Sequence, residues 1–143
     1  MPPDRFLVDT SLWILALRKD FVSDVKNRVD RLLREDTIVT TGIIMVEILS
    51  GAKTEKEFRR LKKGLDALDS IETDRPVWEE ASELGFTLRR KGVTVPHIDI
   101  LIATCALRAS AVVVHADAHF DLIAKHSPLQ VESYVQTLQK AHT

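Results

Sequence analysis

The chain has 143 residues, enough for one domain with a sizeable core and no need of disulfides or a structural metal. Hydrophobic residues make up 45% and charged residues 29%, which excludes disorder as the main state. The formal net charge of −1 lacks the strongly basic footprint of many nucleic-acid-binding domains, and the single cysteine excludes an intrachain disulfide and a cysteine-based zinc site.

The opening MPPDRF has no long apolar h-region of a signal peptide. No uninterrupted apolar stretch reaches membrane-spanning length, so a cytoplasmic location is the expectation.

Taken in chain order, RFLV at residues 5–8 predicts a short buried strand, followed by a helix capped by Thr10 or Ser11. Val25, Val29, Leu32 and Leu33 fall at helical spacing between Asp24 and Leu33. Thr37 to Thr40 is β-branched and predicts a second strand. Thr41 is placed to cap a helix that carries Glu47 and ends near Gly51. A charged helix follows to about Leu68, with Thr54 and Glu57 as a capping box. Ser70 to Glu72 predicts a brief strand. Pro76 fits the first turn of a helix that Gly92 ends, and Pro96 opens another to about Ala109. AVVVH at residues 111–115 is the clearest buried strand. Phe120 to Ala124 predicts a helix, Leu129 to Val131 an edge strand, and Glu132 to Lys140 a terminal helix. Strands alternating with helices indicate a three-layer α/β/α fold around a small, mostly parallel sheet of four or five strands. With no linker or repeat, residues 1–143 read as a single domain.

Four acids stand in or directly after apolar runs: Asp9 after RFLV, Glu47 within GIIMVEIL, Asp99 within PHIDILIA, and Asp117 after AVVVHA. Acids are rarely buried without a partner. In open α/β sheets ligands bind beyond the carboxyl ends of the strands, where Asp9 and Asp117 fall. Glu47, with Ile43 and Ile44 one turn before it, is expected on the apolar face of its helix. Asp99, one turn after Pro96, complements the helix dipole. Singly, each acid has a structural reading as a helix cap, a dipole partner or an ion pair. Together in one pocket they would repel unless balanced, and magnesium or manganese balances them with oxygen ligands and several waters. Such a centre suits phosphoester hydrolysis.

DTSLW at 9–13, VEILSG around Glu47, HIDILIATCAL around Asp99 and HADAHFDLIA around Asp117 resemble a PIN-domain nuclease. In length and motif order the chain is more narrowly similar to the VapC-type ribonuclease toxins of toxin–antitoxin pairs. The resemblance spans Arg5 to about Val131. It implies a magnesium- or manganese-dependent endoribonuclease with Asp9, Glu47, Asp99 and Asp117 as its acids and Ser11 as an auxiliary polar residue. It also implies a homodimer and a cognate antitoxin lying across the groove. Asp9 and Asp99 are the expected direct ligands, with Glu47 and Asp117 holding or activating water. The family usually has Thr where this chain has His115, which brings the prospect of a pH-dependent charge beside the site. Asp121 is a further auxiliary acid.

Two basic stretches offer phosphate contacts or merely solvated helix faces; Arg59, Arg60, Lys62 and Lys63 are the residues assigned to RNA. Single-stranded or looped RNA suits such a cleft. Trp13, Ile14 and Leu17 suggest a protein interface, with core packing as the alternative. The triplet His115-x-Asp117-x-His119 suggests zinc only if all three lie on the strand, and Ala118 and His119 belong to the turn beyond it. A G-x-S-x-G elbow and a phosphate-binding glycine loop are both missing. Two other readings are a PIN nuclease in RNA processing without a toxin role and a non-catalytic α/β interaction module.

Overall fold

A computed structural model describes residues 4–17 and 23–141 of the chain. Its sheet has five parallel strands in the order β3-β2-β1-β4-β5: β1 Phe6–Val8, β2 Ile38–Thr41, β3 Asp69–Ile71, β4 Val112–His115 and β5 Val131–Ser133. Leu7 and Val8 of β1 and every residue of β2 and β4 are buried, as central strands covered on both faces require. The edge strands β3 and β5 are partly open to solvent. Register aligns Leu7 with Val39 on one side and with Val113 on the other.

Helices α1 Thr10–Leu17 and α2 Ser23–Arg34 join β1 to β2, and α3 Gly42–Ser50 and α4 Glu55–Asp66 join β2 to β3. Helices α5 Arg75–Arg90 and α6 His97–Ala109 carry the chain from β3 back to β4. The α7 helix Ala118–Lys125 leads to β5, and α8 Val135–Ala141 follows it. Helix packing separates into two groups, α1–α4 and α5–α7, one set for each layer of the α/β/α sandwich. One hydrophobic cluster runs through the sheet, with Leu7, Leu12, Leu32, Ile44, Leu88, Ile102, Phe120 and Ile123 at its centre. Among the described residues no helix is long and apolar enough to cross a membrane.

Local chemistry explains most boundaries. Thr41 Oγ1 accepts the Ile44 N–H and caps α3, and Thr54 accepts the Glu57 N–H and caps α4. The return arm of that expected capping box misses: Glu57 reaches Lys53 N at a long 3.4 Å. Gly92, at φ 79°, supplies the left-handed turn after α5. Neither Thr10 nor Ser11 caps α1. Asp9 does so, its Oδ2 accepting the Ser11 N–H at 3.0 Å. The last strand also differs from expectation. Leu129 is buried, but in the connection, and β5 begins at Val131, where pairing with Val113 sets the register. The terminal helix consequently starts at Val135 rather than Glu132.

Candidate active site

Strand order reverses beside β1, where the chain leaves for β2 on one side and returns as β4 on the other. A crevice at the carboxyl ends of β1 and β4 is the topological switch point of the sheet. Asp9 leaves β1 there, with its backbone N–H on Val114 O at 2.9 Å. Its side chain is held by Ser11, whose Oγ–H donates to Asp9 Oδ2 at 2.6 Å. The same Ser11 oxygen accepts the Ala116 N–H at 3.0 Å, tying the ends of β1 and β4 together. Asp9 is only 5% exposed.

Asp117, just past β4, caps α7 by accepting the His119 N–H at 2.9 Å. Asp99 enters from the first turn of α6, a helix with no side-chain cap at Pro96. His119 joins the two acids: its Nδ1 lies 3.1 Å from both Asp99 Oδ2 and Asp117 Oδ1. Among the described residues, Asp99, Asp117 and His119 form the group whose ligand atoms all fall within 4.8 Å of one another. Asp9 lies outside that group but acts on it through its charge.

That charge is visible in protonation. Burial, then the negative charges of Asp117 and Asp9, push the Asp99 carboxyl up to about 6, against the pull of His119. Glu47 stands at the rim. Ile44 and Ile48 of α3 are buried, whereas Glu47 is exposed, so the expected apolar-face position is not observed. Helix α3 turns its Ile44 side to the core, and residue 47 falls to the edge of that face. The Glu47 pKa is nonetheless raised, first by partial desolvation around its carboxylate and then by Asp9 and Asp117, while a 2.9 Å hydrogen bond from Thr10 opposes the rise.

His115 differs from the expectation of a pH-dependent charge. It is fully buried, and burial lowers its pKa despite the nearby acids. The Asp117 N–H donates to its Nδ1 at 3.1 Å, so the neutral ring carries its proton on Nε2. That nitrogen faces Asp121 Oδ1 at 3.2 Å, in an alignment short of a hydrogen bond. Asp121 also accepts from Ser133 Oγ at 3.0 Å. Asp121, the auxiliary acid, thus stands against the ring that accepts the Asp117 N–H.

The basic residues of α4 are exposed. Arg59 pairs with Glu55 at 3.7 Å and Lys62 with Asp66 at 2.6 Å, and none of the four touches the acids by hydrogen bond or ion pair among the described residues. Trp13 is buried, with Ile14 and Leu17 exposed beside it. Trp13, Leu17, Leu33, Ile48, Leu61 and Leu65 line an apolar groove with Arg60 at its margin. His119, weighed in the sequence only as the last member of a zinc triplet and set aside, lies beside the acids Asp99 and Asp117. Its signal was available, since a residue two after a strand-end acid falls in the first turn of the next helix.

A parallel sheet with acids gathered at its switch point is the architecture of a nuclease-like α/β domain. Residues 6–126 match the PIN domain, and the chain belongs to that family. Within it, the chain is 37% identical over 132 residues to the VapC ribonuclease Mb1587 of Mycobacterium bovis, covering 90% of this chain and 98% of that protein. Ribonuclease VapC11 of Mycobacterium tuberculosis matches to the same extent. The fold is also similar to VapBC2 from Rickettsia felis, solved with a promoter DNA fragment: TM-score 0.73, 23% identity, 90% of this chain and 97% of that one. FitAcB from Neisseria gonorrhoeae aligns with a TM-score of 0.69 at 20% identity, over 88% of this chain and 95% of that one.

The donor chemistry fits a divalent ion. Ligands at about 2.1 Å from an octahedral ion are separated by about 3.0 Å along an edge. The separation of His119 Nδ1 from each carboxylate oxygen, 3.1 Å, matches that edge. Asp9, with both its Ser11 hydrogen bonds on Oδ2, leaves Oδ1 for a ligand or its water.

Proposed function

We propose that this chain is a metal-dependent endoribonuclease, the toxin of a toxin–antitoxin pair, working in the cytoplasm with magnesium or manganese. The observation that supports it most is the crowding of carboxylates at one switch point, felt by Asp99 as a pKa raised to about 6. Uncompensated, that crowding costs stability; a bound cation reverses the sign. The 37% identity to VapC ribonucleases adds the reaction and the biological role.

Asp9, Glu47, Asp99 and Asp117 are assigned to hold the ion or its water. When bound, a divalent ion lowers the pKa of an attacking water and stabilises charge on the phosphoryl oxygens. Asp99 and Asp117 present oxygens towards one point, and Ser11 fixes Asp9 against the end of β4. Glu47, at the rim with a raised pKa and a hydrogen bond from Thr10, is suited to take a proton from water on the solvent side. Single-stranded or looped RNA is the substrate class, because a splayed backbone reaches such a crevice.

Arg59, Arg60, Lys62 and Lys63 are assigned to phosphate contacts. Arg60 and Lys63 have no ion pair among the described residues, so they carry more of that role than Arg59 and Lys62. The antitoxin is assigned to the apolar groove of Trp13, Leu17 and Leu33, with a basic residue reaching the acidic pocket. A homodimer completes the assembly; Trp78 and Phe86, exposed on α5, supply an apolar face for it.

The test is growth on induced expression, together with RNA cleavage in magnesium, manganese or chelator. The wild type arrests growth and cuts RNA only with metal, and Asp99→Asn does neither. Equal toxicity of the two proteins overturns the reading.

A further inference from the structure

We propose that His119 is a nitrogen ligand of the divalent ion and biases this site towards manganese over magnesium, an inference that rests on the metal-dependent reading above. The acids alone describe an all-oxygen site, which suits either ion. His119 changes the donor set. Its Nδ1 stands at 3.1 Å from Asp99 Oδ2 and at 3.1 Å from Asp117 Oδ1, so it lies between the two carboxylates, with one ligand atom of each of the three residues within 4.8 Å of the others.

The placement is built rather than incidental. Asp117 Oδ1 accepts the His119 backbone N–H, so the acid that caps α7 also fixes where the imidazole begins. The ring is 43% exposed, which leaves room for the waters that either ion retains. The other ring nearby, His115, is fully buried with its Nδ1 occupied by the Asp117 N–H, so it cannot serve in its place. An imidazole nitrogen adds more to the affinity of a first-row transition ion than to that of magnesium, a hard ion served best by oxygen. The competing role for His119 is that of a hydrogen-bond partner alone, its ring touching Asp99 and Asp117 without joining the ion.

Pulsed electron paramagnetic resonance of manganese bound to the full chain separates the two. The proteins are wild type, His119→Ala and Asp99→Asn, each checked for a single cooperative unfolding transition, and competition with magnesium gives the affinity ratio. The expected result is nitrogen modulation on manganese in the wild type, lost in His119→Ala, with the manganese-to-magnesium ratio falling about tenfold, equivalent to about 1.4 kcal/mol. Manganese bound with no nitrogen coupling, or a ratio unchanged in His119→Ala, overturns the role of His119 and leaves the metal site standing. Failure of the wild type to bind manganese overturns both.

Discussion

Replacing Asp99 by Asn should stabilise the metal-free protein while abolishing its activity. Asp99 is 14% exposed, and its pKa rises from 3.8 to about 6. A shift of about two units corresponds to roughly 3 kcal/mol by which the folded state disfavours the ionised form. The folded chain holds the proton more tightly than the unfolded one. The penalty is therefore absent below about pH 4, grows as pH rises towards 6, and is constant above it. Asn has nearly the same shape, keeps an oxygen for His119 and carries no charge at any pH. The variant should melt at about the wild-type temperature near pH 4 and roughly 5–10 °C higher at pH 8 in chelator. Saturating manganese, at about 100 times its dissociation constant, should return about 2.7 kcal/mol to the wild type alone and close the gap. The assay is thermal unfolding from pH 4 to 8, with and without metal. A melting difference that stays flat with pH, or an Asn variant less stable at pH 8, would refute the electrostatic account of the pocket.

Three further outcomes follow from the hydrogen bonds around the acids. His115→Leu should lower stability by about 1–3 kcal/mol by leaving the part-buried Asp117 N–H without its acceptor; His115→Asn, which keeps an oxygen near the Nδ1 position, should recover much of it in chemical denaturation. Ser11→Ala removes the hydroxyl that bridges Asp9 and Ala116 and should cost about 1–3 kcal/mol, together with weaker manganese binding in titration calorimetry. Thr10→Val deletes the hydrogen bond that holds the Glu47 pKa down, so nuclear magnetic resonance titration should find that carboxyl higher still; a fall would count against the assigned contact.

Features set by neighbours in the chain were legible in the sequence. The Thr41 and Thr54 caps, the turn at Gly92, and the strands at RFLV and AVVVH depend on a few consecutive residues, and the structure has them where expected. Features set by packing were not. β5 is chosen by its register with β4, and Glu132 within it is held by a two-pronged contact from Arg28 at 2.8 and 2.9 Å, which no local pattern reveals. The orientation of Glu47 depends on which side of α3 the sheet takes, a choice among adjacent apolar residues. The burial of His115 was implicit in its place at the end of an all-apolar strand, yet its neutrality needed the Asp117 N–H and the low polarity around it. His119 was visible in the sequence only as part of a triplet with His115 and Asp117; its pairing with Asp99 was not, because Asp99 comes from a different helix.

The hydrogen bond between Ser11 and Ala116 joins residues 105 apart, and β1, the first strand made, waits for β4 as its second neighbour. Such distant pairings form late, after most of the chain is available. During synthesis the pocket therefore has no existence until Asp117 has left the ribosome and β4 has docked. A chain stalled earlier carries Asp9, Glu47 and even Asp99 but no assembled centre, so the topology itself withholds activity from unfinished copies.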